Sequence, residues 1–373
     1  MKKLGFGLMR LPRTDTGNAA AVDLEQVKRM VDLFIARGFT YFDTAIMYQA
    51  CASQRIAKEV LVDRYPRDSF TLATKLHYAF FDSFEDRDRV FEEQLAQTGA
   101  GYFDYYLLHG IEADSYPHYE KYDCFNWLLD KKAKGLVKHI GFSFHETPEL
   151  LDEILTNHPE TEFVQLQINY LDWESEWIQS KKVYETAVRH GKPVIVMEPV
   201  KGGTLAKLPA KAEALLKARE PEWSIPSWGI RFAASLENVM VVLSGMSSEA
   251  QVADNTSVME AFTPLTEEEK ALTQRAAAII NAQIAVPCTG CAYCTEGCPM
   301  QIPIPQYFSL YNEDMREDLE RKGWTINTNN YAKLAGRSAP ASECIACGQC
   351  ESVCPQHLPV IEKLREVSAH FEG

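Results

Sequence analysis

Two runs of cysteines carry the plainest chemistry in this sequence. The first is Cys288-Thr-Gly-Cys291-Ala-Tyr-Cys294-Thr-Glu-Gly-Cys298-Pro299, the second Cys344-Ile-Ala-Cys347-Gly-Gln-Cys350-Glu-Ser-Val-Cys354-Pro355. Both follow C-x2-C-x2-C-x3-C-P, the spacing that wraps three thiolates round one 4Fe–4S cube while the fourth serves the neighbouring cube. The expected ligand sets are therefore Cys288, Cys291, Cys294 and Cys354 for one cluster, and Cys298, Cys344, Cys347 and Cys350 for the other. Zinc is the alternative, since it also takes four thiolates. Zinc ribbons, however, present paired C-x2-C knuckles rather than three cysteines at successive x2 spacings. The other two of the ten cysteines, Cys51 and Cys124, fit neither run and read as ordinary thiols.

A second constellation is spread more thinly. Phe39-Thr-Tyr-Phe-Asp43 ends in a carboxylate with Tyr48 just beyond it, Phe70-Thr-Leu-Ala-Thr-Lys75 ends in an ammonium, and Tyr105-Tyr-Leu-Leu-His109 ends in an imidazole. Each alone reads equally as a core or surface residue. Together they suit proton transfer coupled to hydride delivery at a carbonyl carbon. A tyrosine hydroxyl ordinarily titrates near pH 10, too high for efficient acid–base work. A neighbouring ammonium would lower that value, a carboxylate would hold the ammonium in place, and a neutral histidine could hydrogen-bond the carbonyl oxygen.

The elements that must position these groups follow from periodicity. Short β-rich apolar runs begin near Leu4, Phe39, Phe70, Phe103, Val137, Phe163, Val194 and Val239. They alternate with helical patterns at Asp23–Arg37, Ser83–Thr98, Tyr119–Lys134, Thr147–Asn157 and Glu176–His190. This alternation, over residues 1–262, predicts a (β/α)8 TIM barrel, whose catalytic groups sit at the C-terminal ends of the strands. A doubly wound open sheet is the rival, but no G-x-G-x-x-G turn follows the first strand. After Phe262 the texture changes: Thr266–Asn281 reads as a helix, and beyond Pro287 the cysteine runs flank a helical stretch around Pro305–Asp314. Residues 263–373 are thus expected to form a smaller, mainly helical, two-cluster ferredoxin-like domain, with the boundary near 263–283.

At this point the motifs resemble a known family. Asp43-Thr-Ala-x-x-Tyr48, Lys75 and His109 resemble the catalytic tetrad of the aldo/keto reductases. Gly141-Phe-Ser143, Gln165-Leu-Gln, Glu198-Pro-Val-Lys-Gly-Gly203 and Ser244-Gly-Met-Ser are similar to its nicotinamide and phosphate segments, and Gly5-Phe-Gly-Leu-Met-Arg10 to its opening strand. The whole chain resembles the subgroup with an appended two-cluster ferredoxin-type domain. The resemblance implies Tyr48 as general acid, Lys75 as the residue that lowers its pKa, Asp43 as the group orienting Lys75, and His109 as the residue that positions the substrate oxygen. It implies cofactor contacts from Arg10, Asp43, Ser143, Gln165, Met197, Glu198, Pro199, Val200, Gly202, Ser244, Gly245 and Met246. Gln251 and Asn255 would grip the adenosine end. The chain departs from the family at four positions. Phe144 replaces an Asn, Met197 replaces a stacking aromatic ring, and Gly245 and Gln251 replace the Lys and Arg that hold a 2′-phosphate in NADPH-preferring members. The cofactor is NAD(H) or NADP(H), with these last two favouring NAD(H).

Composition supports this outline. With 373 residues, 46% of them hydrophobic and 24% charged, the chain is an ordinary globular protein of two-domain length. A net charge of −14 argues against nucleic acid or an anionic membrane as partner. No apolar run is long enough to span a bilayer. Lys2 and Lys3 precede an apolar stretch that ends at Arg10, too short for a signal peptide, so a cytoplasmic location is expected. The expected function is NAD(P)-dependent reduction of a carbonyl, or oxidation of an alcohol, on a small organic substrate. Trp173, Trp177, Tyr170 and Phe80 are candidates to line its pocket. Two other readings remain: a nucleotide-binding electron-transfer or redox-sensing protein with an external electron-transfer partner, and an enzyme that oxidises transiently on the way to elimination or isomerisation. A hydride carries two electrons and a cube passes one at a time, so direct coupling needs a mediator.

Overall fold

The computed structural model describes residues 2–15, 18–175, 178–282, 284–316 and 326–373. Glu176 and Trp177 lie outside the described residues. Two compact units result: Met1–Glu174, Gln179–Pro199 and Ser227–Glu268 form the first, and Ser175–Ile178, Val200–Pro226 and Glu269–Gly373 the second.

The first unit is built on eight parallel strands that close into a barrel. They are β1 (Leu4–Gly7), β2 (Tyr41–Asp43), β3 (Thr71–His77), β4 (Phe103–Ile111), β5 (Val137–Phe144), β6 (Phe163–Gln167), β7 (Val194–Met197) and β8 (Val239–Gly245). Each pairs with the next, and β8 returns to β1 through Leu4↔Val242 and Gly7↔Gly245. Parallel neighbours need a crossover between them, and helices supply it. Leu24–Ala36 starts where Asp23 accepts the amide of Gln26 at 3.0 Å, and Gly38 at φ +78° turns the chain out of it. Ser83 caps Phe84–Thr98 in the same way, and Gly99 at φ +63° ends it. Thr147 caps Pro148–Asn157.

Two expected helices differ in detail. The segment Tyr119–Lys134 is two helices, Tyr116–Lys121 and Cys124–Ala133, broken at Asp123 with φ +50°. The Arg87 guanidinium takes the carbonyl of Tyr122, so the backbone there is satisfied outside the helical ladder. The helix expected from Glu176 begins at Ser180, after Gln179 at φ +52°.

The barrel interior is a packed core. Tyr41, Ala73, Leu107, Phe163, Ile195, Val241 and Leu243 come from six strands and make one buried cluster. Two glycines make room for the larger members. A Cβ at Gly5 would lie 2.7 Å from Leu243 Cδ2, and one at Gly141 would lie 2.4 Å from the carbonyl oxygen of Phe163.

The second unit is mainly helical, as its sequence predicts. Helices Ile304–Arg316, Ile326–Ala335 and Val360–Phe371 enclose a core that includes Ile302, Tyr307, Phe308, Leu364 and Val367. Asn312 clamps the strand-like approach to the first cysteine run, accepting the Val286 amide at 2.8 Å and donating to its carbonyl at 2.6 Å. Among the described residues no helix is long and apolar enough to cross a membrane.

Candidate functional site

Side chains alternate across a strand, so the residue two places beyond a buried interior residue also faces inward. From Tyr41 that step leads to Asp43, from Ala73 to Lys75, from Leu107 to His109, from Phe163 to Gln165 and from Ile195 to Met197. The same step from Gly141 leads to Ser143. Register places these strands side by side, with Asp43 opposite Ala73, His77 opposite His109 and Ser143 opposite Gln165. Residues far apart in sequence are thereby gathered at one end of the barrel.

Asp43 and Lys75 are both almost fully buried, at 3% and 1% exposure. The Lys75 ammonium donates to Asp43 Oδ1 at 2.5 Å and to the Thr44 carbonyl at 2.9 Å. Burial pushes the Asp43 carboxyl up and the Lys75 ammonium down, and each partner opposes the shift of the other. Lys75 Nζ lies 5.2 Å from the centre of the Tyr48 ring, and that ring stands edge-on to His109 with centroids 5.9 Å apart. All four members of the expected tetrad meet here.

The titration of Tyr48 differs from the expectation. Its hydroxyl is raised well above the ordinary tyrosine value, chiefly by burial, with the Asp43 and Glu198 carboxylates adding to it. Lys75 directs its hydrogen bonds to Asp43 and Thr44 rather than to the phenol. Tyr48 is therefore a protonated donor at neutral pH. His109 is held far below the usual histidine range by burial and by the Lys75 charge, so it is neutral. Its Nδ1 is buried with no hydrogen-bond partner among the described residues.

Tyr48 does not sit in an open loop. It begins the short helix Tyr48–Cys51, in which Gln49, Ala50 and Cys51 all have positive φ. Non-glycine residues seldom adopt that conformation and need support to hold it. Gln49 supplies it by donating to the carbonyls of Leu8 (3.2 Å) and Met9 (2.7 Å) in the helical turn Leu8–Arg10 just after β1.

Sequence reasoning missed Gln49, and it also missed His77 and Tyr119. His77 stacks edge-on against His109 at 5.3 Å, and burial lowers it to about 4. It lies two places after Lys75, so strand alternation alone puts it on the same face. The Tyr119 hydroxyl lies 2.8 Å from the His109 carbonyl and 3.1 Å from that of Leu76, bridging β3 and β4. Nothing in the local pattern marks it.

The expected nucleotide contacts fall into two groups. Gln165 Oε1 is buried with no partner among the described residues, while Ser143 Oγ accepts the Gly110 amide at 2.7 Å. At the β8 end, Asn255 donates to Ser244 Oγ at 3.0 Å, Gln251 accepts the Ser247 amide at 2.7 Å, and Ser247 donates to the Arg10 carbonyl at 2.7 Å. Gly245 lies against the Arg10 side chain, since a Cβ there would be 3.3 Å from Arg10 Cβ. Met246 is fully buried, and Pro199 follows Glu198, whose φ is +56°. Val200 and Gly202 belong to the second unit. Phe144 pairs with Leu166 on β6. Of the pocket candidates, Trp173 and Tyr170 pack edge-on against Phe232, and Phe80 stands edge-on to His77.

In the second unit the cysteines gather round two cavities. One is walled by Cys288, Cys291, Cys294 and Cys354, the other by Cys298, Cys344, Cys347 and Cys350. Each cavity thus takes three thiols from one run and the last from the other. Among the described residues no three Cys, His, Asp or Glu converge on a single ion. Burial pushes the thiols of Cys288 and Cys350 up to about 11 and that of Cys294 up to about 12. Cys51 is exposed and Cys124 is buried with its thiol pushed up to about 12, so neither joins a cavity.

Comparison with known proteins agrees with this geometry. The chain matches the 4Fe-4S dicluster domain over residues 287–358. Among solved structures it is similar to an aldo-keto reductase from Bacillus halodurans in its holo form. That similarity has 25% identity and a TM-score of 0.60, covering 74% of this chain and 91% of that one. It also shares its fold with an aldo/keto reductase from Klebsiella pneumoniae solved with NADP and acetate. There the identity is 17% and the TM-score 0.58, over 73% of this chain and 90% of the other. The aldo/keto reductase family model matches residues 3–278, and the chain belongs to that family.

Proposed function

We propose that this oxidoreductase exchanges a hydride between a nicotinamide dinucleotide and the carbonyl or alcohol carbon of a small organic substrate, with Tyr48 passing the proton. The observation that carries this reading is the meeting of Asp43, Lys75, His109 and Tyr48 at one end of the barrel. The nicotinamide supplies or accepts the hydride. The protonated Tyr48 hydroxyl gives its proton to the carbonyl oxygen, and neutral His109 holds that oxygen by a hydrogen bond. Lys75, fixed by Asp43 and Thr44, keeps a positive charge beside the phenol as it loses its proton.

The residues present suit a dinucleotide. The unpartnered Gln165 Oε1 and the Ser143 hydroxyl offer polar contacts for the carboxamide. Arg10, Gln251 and Asn255 offer a cation and two amides for the adenosine end. The thiols of the second unit suit two 4Fe–4S clusters, each held by the four cysteines of one cavity, which supply one-electron transfer.

Tyr48→Phe tests the proposal in anaerobically purified protein. Removing a general acid should lower turnover by roughly 10²–10⁴-fold while nucleotide affinity is unchanged. Turnover close to wild type in the variant overturns the assignment. Mixing with NADH alone separates the electron-transfer reading, because clusters that are reduced without any carbonyl substrate favour it.

A further inference from the structure

The two cysteine cavities are nearly alike in thiols and unlike in charge. Beside the first, Gln356 forms part of the wall, and the Lys201 ammonium donates to Gln356 Oε1 at 2.6 Å. Lys201 is only 1% exposed and Gln356 only 5%. The backbone carrying Lys201 is pressed onto the first cysteine run itself. Gly202, at φ +62°, lies so close to Thr289 that a Cβ would be 2.2 Å from its carbonyl oxygen, and Thr289 lies between Cys288 and Cys291. No bulkier residue fits, so the lysine is held at its post by the glycine that follows it. Through Gln356, which shares the cavity wall with Cys288 and Cys354, this buried ammonium is held beside the thiols.

The second cavity has the opposite neighbour. Its other walls include the apolar side chains of Met300, Ile302, Ile345 and Ile361. Glu351 follows Cys350 directly and is fixed by the amide of Ile361, which donates to its Oε1 at 2.9 Å. Ile361 itself lines the cavity, so the carboxylate is held against that wall.

We propose that Lys201 and Glu351 are positioning residues that set two otherwise similar clusters apart in reduction potential. The inference rests on the reading that each cavity holds a 4Fe–4S cube. A cube reduced from the 2+ to the 1+ core gains one electron and one negative charge. A nearby cation stabilises the reduced form, and a nearby anion destabilises it. The cube among Cys288, Cys291, Cys294 and Cys354 therefore has the higher potential. One electron given to the pair by a low-potential reductant settles on the Lys201 side.

The test is an EPR-monitored dithionite titration of full-length, anaerobically purified protein, after iron and sulfide assay. About eight irons and eight sulfides per chain are expected. Zinc without sulfide overturns the cluster reading and this inference with it. With iron in place, wild type should reduce in two separate steps. Lys201→Gln should lower the higher midpoint and leave the other, so that at the wild-type midpoint the ratio of reduced to oxidised cube falls about tenfold, a shift of about 59 mV for one electron. Lys201→Arg should keep both steps in place. Glu351→Gln should raise only the lower midpoint, and it decides the question if Lys201→Gln fails to retain iron. Midpoints that stay unmoved, or that move together, in iron-loaded variants overturn the proposal.

Discussion

Strands hold the reactive groups of the barrel, whereas short turns hold the thiols of the second unit. In the barrel, Asp43, Lys75 and His109 are brought together from residues more than 30 positions apart by register alone. Around the cavities, Gly290, Ala292, Ala346 and Gly348 turn the chain at φ between +55° and +80° and place cysteines three residues apart on one rim. The difference teaches where each arrangement gets its rigidity. The barrel site inherits it from a backbone ladder and a packed interior. The cavity rims consist of turns and single-turn helices, Tyr293–Glu296 and Gln349–Ser352, with no strand ladder behind them.

Removing the metal should expose this difference most strongly. Anaerobic chelation of the irons is expected to leave barrel amides protected in hydrogen exchange while those of residues 288–298 and 344–354 become fast. Equal protection before and after chelation would show that the rims stand without metal. Within the barrel, the largest single effect should come from Lys75→Met. It strands the buried Asp43 carboxylate, and breaking a buried pair costs about 3–5 kcal/mol. Adding Asp43→Asn should restore most of that loss in a denaturant titration.

One substitution can be made in both regions. Gly141→Ala would push a Cβ to 2.4 Å from a backbone oxygen, and Gly202→Ala to 2.2 Å from another at a left-handed φ. Each should cost roughly 1–3 kcal/mol. Hydrogen exchange should place the first loss in the barrel and the second in the second unit, and a loss shared between units would break the comparison.

The last effect concerns pH. Glu112, just past β4, is lifted from its ordinary 4.5 to about 7 by burial and by the Glu146 and Asp114 carboxylates. Its folded form holds a proton that its unfolded form releases at lower pH. The stability it contributes is complete below about pH 4.5 and lost as pH rises toward 7. Glu112→Gln should flatten that part of the stability–pH curve, and an unchanged slope would contradict the shift.

How legible each region was follows from the same contrast. The cysteine runs declare themselves because their spacing alone predicts how the thiols group round the two cavities, down to the exchange of Cys298 and Cys354. The strand starts were legible from periodicity, and β1, β4, β5, β6, β7 and β8 begin where the pattern predicts. The tetrad was legible as residue types at strand ends. The supports around it were not. Gln49, reaching back to the turn after β1, and Tyr119, bridging β3 and β4, act through contacts of 40 and 10 residues' separation that no local pattern encodes. The raised Tyr48 hydroxyl was hidden for a related reason. Adjacency to a lysine suggests a lowered pKa, and only burial and the partners of Lys75 decide the sign.

The exchange of cysteines between the two cavities also orders events during synthesis. Cys288, Cys291 and Cys294 leave the ribosome first, yet the fourth wall of their cavity is Cys354, which is made last of the eight. The nascent chain therefore carries an incomplete thiol cradle for the whole interval in which residues 295–353 are translated. If that cavity takes the cube proposed for it, iron and sulfide must wait for the final thiol or be held by three until it arrives.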